Sequence, residues 1–136
     1  MSEPKVCLII DDDPDDQEIF EMCVKKVDNS IECRTSDSGV EAISMLISNP
    51  DFIPNYIFLD VNMPKMSGLE CLKELRTIDR LKDSKIFMYS TTTENKMLIE
   101  SKSLGADDFI IKPTKTSELK EKLHTIFQMV PKIAGN

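Results

Sequence analysis

The stretch from Tyr56 to Gly68, Tyr-Ile-Phe-Leu-Asp-Val-Asn-Met-Pro-Lys-Met-Ser-Gly, decides the fold of this chain. Its first four residues are apolar and lead directly into the carboxylate Asp60, a pattern typical of a parallel strand that is buried on both faces. Asn62, Pro64 and Gly68 then end the strand and introduce an amphipathic run. Asp60 is therefore predicted at the carboxyl end of a strand, where open α/β sheets bind ligands. Taken alone, an acid here fits a solvated turn equally well, so the other strands must decide its role.

Length and charge restrict the class of protein. The chain has 136 residues, which predicts a single domain over residues 1–136 with a core from about 5 to 130. Its formal net charge of −7 argues against direct binding to nucleic acid or to an anionic membrane. The first apolar run, Val6 to Ile10, is too short for a signal sequence or a membrane span. Four widely spaced cysteines at apolar positions are typical of core thiols in a reducing compartment. We therefore expect a cytoplasmic protein without membrane insertion.

Three other apolar runs also end on polar side chains. The run Val6 to Ile10 ends on Asp11 and Asp12, the run Ile86 to Tyr89 on Ser90, and the run Phe109 to Ile111 on Lys112. A fifth segment, residues 31–35, alternates apolar and polar residues, which suits a strand at a sheet edge. Amphipathic helical patterns separate the runs. This alternation predicts an α/β fold, a doubly wound five-stranded parallel sheet.

The helical segments carry recognisable start signals. Pro14 suits the first position of a helix with Asp13 as its N-cap, and Asp15 and Asp16 complement the positive end of the helix dipole. Ser67 followed by Glu70 has the spacing of a capping box at the start of the third helix, and Thr92 and Thr93 are predicted to cap the helix after the fourth strand. That helix has few apolar residues, so we expect it to be the least firmly packed element. The second helix is predicted to bury one apolar face, formed by Val40, Ile43, Leu46 and Ile47.

The strand ends are predicted to form one site. Right-handed crossovers place all the strand C-termini at one edge of a parallel sheet, so Asp11, Asp12, Asp60, Ser90 and Lys112 share that edge. Three neighbouring carboxylates repel one another by several kcal/mol, which calls for a nearby cation. Lys112 is one candidate and a divalent ion is another. Oxygen ligands without histidine or thiolate favour a hard cation such as Mg²⁺. A carboxylate beside Mg²⁺ and a lysine, with a hydroxyl opposite, is equipped to receive a phosphoryl group.

These motifs, in this order, resemble the response-regulator receiver domains of the CheY type. The resemblance rests on Ile-Ile-Asp-Asp at residues 9–12, Leu-Asp-Val-Asn-Met-Pro-Lys-Met-Ser-Gly at 59–68, Ser90, and Lys-Pro at 112–113. It covers about residues 5 to 130. The resemblance implies a flavodoxin/CheY-like (βα)5 fold with the strand order 2-1-3-4-5.

The resemblance also implies roles for the acids. Asp60 matches the phosphoacceptor, which receives a phosphoryl group from a sensor histidine kinase or a histidine phosphotransfer protein. Asp11 and Asp12 match the acidic pair that holds Mg²⁺ together with Asp60. The backbone carbonyl of Asn62 matches a further metal ligand.

The remaining matches concern the response to phosphorylation. Lys112 matches the lysine that pairs with the phosphoryl group, and its peptide bond to Pro113 is cis in the family. Ser90 and Phe109 match the hydroxyl and aromatic switch positions. Thr114 stands where many relatives have phenylalanine. The resemblance thus implies a signalling switch rather than an enzyme, with Mg²⁺-dependent self-phosphorylation and autodephosphorylation. Its output would go to a downstream protein effector, through the last two helices and the fifth strand, where a dimer could also form.

Two other functions remain open from the residues. A phosphatase of the haloacid dehalogenase type also uses an aspartate at a strand end, but it needs a second aspartate two positions later, where this chain has Asn62. A receiver-like interaction module that works without phosphorylation is the other alternative. Loss of partner binding in Asp60→Asn would count against that module.

Overall fold

The computed structural model describes residues 4–91 and 94–128. Five strands alternate with five helices along the chain. The strands are β1 (Val6–Ile10), β2 (Glu32–Ser36), β3 (Tyr56–Leu59), β4 (Lys85–Ser90) and β5 (Asp108–Ile111). The helices are α1 (Pro14–Val27), α2 (Gly39–Ser48), α3 (Gly68–Leu75), α4 (Asn95–Ser103) and α5 (Thr116–Gln128). One 3-10 turn, Asp79–Leu81, lies between α3 and β4. Thr92 and Thr93, the predicted caps of α4, lie outside the described residues.

The strands form one parallel sheet in the order β2-β1-β3-β4-β5. This confirms the predicted fold class and strand order. The apolar run 56–59 is the central strand, and all four of its side chains are buried. The alternating strand β2 lies at one edge, as its pattern predicted.

Helices cover the sheet on both faces, and successive strand residues point into two separate apolar layers. One layer joins α1 and α5 to Ile9, Phe58 and Phe87. The other joins α2 and α3 to Leu8, Leu59 and Met88. A strand with period-two side chains between two helical layers must be apolar throughout, which explains the continuous runs of the sequence. The inner strands of the doubly covered sheet therefore carry polar side chains only at their ends.

Two of the predicted helix starts are confirmed by their hydrogen bonds. The side chain of Asp13 accepts from the backbone N–H of Asp15, with Pro14 in the first helical position of α1. At α3, Ser67 and Glu70 form a reciprocal capping box. These caps fix where each helix begins relative to the strand end before it.

The predicted buried face of α2 is wrong in part. Val40 is 50% exposed and Ile47 is 66% exposed, whereas Ala42 and Leu46 are buried. The helix is apolar over most of its circumference, so periodicity alone does not identify its core-facing side. Packing against α3 selects the face that carries Ala42 and Leu46.

Helix α4 packs least, as expected. It buries one residue, Ser101, whereas each of the other helices buries three or more of its described residues. Gly105 follows α4 with φ of 105°, a left-handed conformation that suits glycine after a helix end. Among residues 4–91 and 94–128, no helix combines the length and the apolar character needed to cross a membrane.

Candidate functional site

The register of the sheet brings the polar strand ends together. The backbone N–H of Asp60 donates to the carbonyl oxygen of Ile10 at 2.9 Å, which places Asp60 beside Asp11. On the other side, the backbone N–H of Lys112 donates to the carbonyl oxygen of Ser90 at 2.8 Å. Four strands thus end within one hydrogen-bonded edge, as the sequence predicted.

Three carboxylates form a cluster at this edge. Oxygen atoms of Asp11, Asp12 and Asp60 all lie within 4.8 Å of one another. Asp11 and Asp60 are buried, while Asp12 is exposed. The predicted acidic group is therefore assembled, with one of its members open to solvent.

Lys112 lies against this cluster. Its Nζ is 3.0 Å from Asp11 Oδ2 and 3.7 Å from Asp60 Oδ1. A third carboxylate, Asp16 from the first turn of α1, is the nearest at 2.8 Å. The ring of Tyr89, on β4, lies 5.3 Å from the ammonium. Lys112 is thus held mainly by Asp11 and Asp16, with Asp60 beyond hydrogen-bond distance.

Burial is the main cause of the pKa shifts of the two buried acids, Asp60 and Asp11. Burial, together with the charges of Asp11 and Asp12, raises the pKa of Asp60 to about 6, although Lys112 and the backbone N–H of Asn62 act to lower it. Burial also raises the pKa of Asp11, against a backbone hydrogen bond from Asp13 and the ammonium of Lys112. Asp60 is consequently still mostly ionised at neutral pH, but its ionised form is less stable than that of an exposed aspartate.

The surrounding carboxylates determine the direction in which the pKa of Lys112 shifts. Burial by itself would lower the pKa of Lys112, but its hydrogen bonds with Asp16 and Asp11 and the charge of Asp60 raise it overall. Lys112 is therefore a cation at neutral pH.

The loop after β3 closes tightly behind Asp60. The backbone N–H of Gly68 donates to the carbonyl oxygen of Val61 at 2.8 Å. A Cβ atom at position 68 would lie 2.2 Å from the backbone oxygen of Asp60, so only glycine allows this approach. Lys65 takes a positive φ of 69° within the same loop. The sequence 61–68 thus wraps the strand end so that the Asp60 carboxylate faces the other acids.

Ser90 and Phe109 lie on the neighbouring strands. Ser90 is buried and pairs in register with Ile111, the residue before Lys112. Phe109 is half-buried and lines a cleft of about 190 Å³ between α4 and β5, together with Leu98 and Ala106. Ser90 ends β4 two residues after Met88, and Phe109 is the partner of Met88 in the strand register, so both side chains lie on the same face of the sheet.

One expectation from the resemblance is corrected. The peptide bond between Lys112 and Pro113 is trans, since residues 4–91 and 94–128 contain no cis peptide bond. The trans isomer is the intrinsically preferred one, by about 0.5–1 kcal/mol for a bond that precedes proline.

The assembled site has the chemistry of a known family. Residues 7–124 match the response regulator receiver domain family. The chain belongs to that family. This receiver domain is 34% identical to the chemotaxis protein CheY-3 of Vibrio cholerae over 93 residues, which cover 68% of this chain and 69% of that protein. Receiver domains are signalling switches, and those of the CheY type interact with kinases and effectors.

Solved structures share the fold of this receiver domain. The phosphorylated cyanobacterial phytochrome response regulator RcpA has a TM-score of 0.84 at 23% identity, covering 94% of this chain and 98% of that one. CheY from the CheX–CheY–BeF3–Mg²⁺ complex of Borrelia burgdorferi has a TM-score of 0.77 at 24% identity, covering 91% of this chain and 90% of that one. At these identities the likeness concerns the fold.

The acidic cluster of this receiver domain fits a divalent cation. Receiver domains bind Mg²⁺ at an acidic pocket. Here Asp11, Asp12 and Asp60 supply oxygen ligands within 4.8 Å of one another, and this donor set suits a hard ion. The exposure of Asp12 also leaves room for the water ligands that Mg²⁺ retains.

Sequence reasoning missed two residues that organise the site. It assigned Asp16 to the helix dipole, but Asp16 is the closest partner of Lys112. It assigned no role to Gln17, whose Nε2 donates to the carbonyl oxygen of Asp11 at 2.6 Å and to Asp37 Oδ1 at 2.9 Å. The only signal in the sequence was that residues 11–16 contain more acids than the single one that a helix cap requires.

Proposed function

We propose that this chain is a single-domain response regulator that accepts a phosphoryl group on Asp60 and switches partner binding in response. The donor would be a phosphohistidine on a sensor histidine kinase or on a histidine phosphotransfer protein. One observation carries the proposal: a buried, ionised carboxylate lies within 4.8 Å of two further acids and 3.7 Å from a lysine ammonium. This arrangement suits a nucleophile whose attack creates additional negative charge nearby.

The proposed reaction is a transfer between two nucleophiles. An oxygen of Asp60 attacks the phosphorus, the phosphorus–nitrogen bond to the donor histidine breaks, and the imidazole leaves with the bonding electrons. The product is an acyl phosphate on Asp60. Lys112 and Ser90, both at the same edge, would pair with the phosphoryl oxygens.

Mg²⁺ is the proposed cofactor. Asp11, Asp12 and Asp60 would hold it, with the backbone carbonyl of Asn62 as a further ligand. When bound, the ion would neutralise the charge of the phosphoryl oxygens. The Borrelia burgdorferi neighbour was solved with Mg²⁺ and BeF3, which supports this cofactor for the present fold.

The proposed switch runs from Ser90 to Phe109. Phosphoryl oxygens on Asp60 would draw the Ser90 hydroxyl toward them, and Phe109 would turn into the space vacated. Helix α4, which buries only Ser101, would adjust at little cost. The shift would alter the surface of α4, β5 and α5 that an effector reads. A dimer through that surface, and a cytoplasmic location, stay predictions.

Intact-mass spectrometry after incubation with acetyl phosphate tests the proposal. We expect the wild type to gain one phosphoryl group when Mg²⁺ is present and to gain none with EDTA. Asp60→Asn should gain none under either condition. Asp51→Asn, which changes the same charge at an exposed loop residue, should behave like the wild type.

The other outcomes separate the alternatives. No mass gain in a wild type that binds Mg²⁺ would favour the interaction module that works without phosphorylation. Steady, Asp60-dependent release of phosphate from small phosphomonoesters would instead favour a phosphatase.

A further inference from the structure

The ammonium of Lys112 is shared unequally among three carboxylates. Its Nζ lies 2.8 Å from Asp16 and 3.0 Å from Asp11, but 3.7 Å from Asp60. Only the first two distances are those of charge-assisted hydrogen bonds. Lys112 therefore lies toward α1, and Asp60 has its charge nearby without a direct hydrogen bond.

Asp16 differs from the other two acids in its position. Asp11 and Asp60 are strand-end residues and both belong to the group of carboxylates that could hold an ion, whereas Asp16 does not belong to that group. Its side chain is 35% exposed and is carried by the first turn of α1. Asp16 can thus remain with Lys112 when the strand-end acids turn to other ligands.

The ring of Tyr89 limits where the ammonium can go. Lys112 is only 14% exposed, and the ring lies 5.3 Å away on the β4 side. A buried ammonium that loses one carboxylate partner moves toward the remaining ones, since leaving it unpaired is costly. Without Asp16, the remaining carboxylates near Lys112 are Asp11 and Asp60.

We propose that Asp16 is a positioning residue that anchors Lys112 on the α1 side of the site and so keeps Asp60 free of a direct hydrogen bond from Lys112 and available for a divalent cation and a phosphoryl group. Only the part of this inference that concerns the phosphoryl group rests on the proposed function. Asp16 is not among the residues that would hold the cation or the phosphoryl group; it would act through the position of Lys112.

Replacement of Asp16 by asparagine should change the site in a defined way. The ammonium should move onto Asp60, where it competes with a dication for the same oxygens. A cation that approaches a dication by about 1 Å, at a separation of about 5 Å, weakens binding by about tenfold at an effective dielectric near 20. Asp16→Asn should therefore weaken Mg²⁺ binding by about tenfold and shift the Mg²⁺ requirement for phosphorylation by the same factor.

Isothermal titration calorimetry with Mg²⁺ on four proteins tests the proposal: wild type, Asp16→Asn, Asp16→Glu and Asp15→Asn. Asp15 is the matched control because it is the neighbouring acid in the same first turn, is exposed and makes no ion pair with Lys112 among the described residues. We expect Asp15→Asn to stay within about twofold of the wild type, since an exposed charge is largely screened. Asp16→Glu, which keeps a carboxylate within reach of the ammonium, should recover most of the affinity.

A crystal structure of metal-free Asp16→Asn gives a second measurement. The distance from Lys112 Nζ to Asp60 should fall to about 2.8 Å, that of a charge-assisted hydrogen bond. Equal Mg²⁺ affinities for Asp16→Asn and Asp15→Asn, or an Nζ that stays at its present distance from Asp60, would overturn the proposal.

Failure of the two proposals can be told apart. If the wild type takes up no phosphoryl group from acetyl phosphate, the proposed function fails, and the Mg²⁺ affinities still decide the role of Asp16. If the wild type is phosphorylated, and Asp16→Asn needs the same Mg²⁺ concentration for phosphorylation as Asp15→Asn, the proposed function stands. The part of the Asp16 inference that concerns the phosphoryl group then fails.

Discussion

At the scale of single residues, Asp60 carries the main electrostatic cost of the site. It is buried, it faces two other acids, and its nearest cation is not within hydrogen-bond distance. Its pKa is raised to about 6, with burial as the main cause. Such a group binds a proton more tightly in the folded protein than in the unfolded chain, where its pKa is about 4.

The pH dependence of stability follows from this difference. Between about pH 4 and 6 the folded state holds more protons at Asp60 than the unfolded state does, so the contribution of Asp60 to stability falls as pH rises and is constant above about 6. Asp60→Asn does not titrate, and Lys112 keeps Asp11 and Asp16 as partners. We therefore expect Asp60→Asn to be more stable than the metal-free wild type by on the order of 2 kcal/mol at pH 7, and by much less at pH 4.

Urea unfolding in EDTA at a series of pH values measures this gain. Asp51→Asn, at an exposed position, should show no comparable trend. A stability difference between Asp60→Asn and the wild type that stays constant from pH 4 to 7 would show that Asp60 titrates alike in both states.

At the scale of elements, the junction between α3, α4 and β5 depends on one arginine. Arg76, directly after α3, donates through Nε to the carbonyl oxygen of Gly105 at 2.9 Å and through Nη1 to that of Leu81 at 3.0 Å. Its Nη2 reaches Ser84 O at 3.2 Å and Asp107 Oδ2 at 3.1 Å. The guanidinium thus holds the loop that leads from the sparsely packed α4 into β5.

Arg76→Lys should therefore destabilise the protein although it keeps the charge. A lysine ammonium lacks the planar fork and cannot reach four acceptors in these directions, so partly buried carbonyl groups lose their donors. We expect a loss of about 2–3 kcal/mol in the free energy of unfolding, measured by urea denaturation.

Arg34→Lys is the matched control. Arg34 is 54% exposed, and within the described part of the chain it has an ion pair at 3.4 Å with Glu32 and lies 5.3 Å from the ring of Phe52. Because lysine can keep both exposed contacts, the replacement should cost less than about 0.5 kcal/mol. Equal losses for the two substitutions would contradict the role assigned to Arg76.

At the scale of the whole molecule, two apolar layers stabilise the sheet, whereas the cluster of carboxylates at the carboxyl ends of its strands opposes folding. The layers bury side chains on both faces of the central strands. At this edge folding brings the carboxylates of Asp11, Asp12 and Asp60 close together, whereas the unfolded chain leaves them apart. A divalent cation should therefore bind the folded state far better than the unfolded state.

Mg²⁺ should raise the stability of the wild type by linkage. At a free concentration of ten times the Kd, we expect the free energy of unfolding to rise by about 1.4 kcal/mol. Asp12→Asn removes an exposed ligand and should lose most of this gain without disturbing the core. Asp51→Asn should keep it. Urea unfolding with and without Mg²⁺ measures the gain, and the same gain in Asp12→Asn as in the wild type would argue against an ion at this cluster.

The sequence by itself determined the fold and the composition of the edge. Apolar runs of three to five residues that end on Asp11, Asp60, Ser90 and Lys112 could be buried only as parallel strands between helices, and parallel strands bring those ends together. The caps Asp13 and Ser67 were also predictable, because capping depends on a few neighbouring residues.

Only the tertiary structure decided how the charges are paired and which apolar faces are covered. Asp16 and Lys112 are 96 residues apart, and their contact depends on how α1 lies against the end of β5. Val40 and Ile47 are exposed because α3 packs on the other side of α2. Both outcomes depend on the relative placement of whole elements, which side-chain periodicity does not encode because it reports only the local direction of each residue.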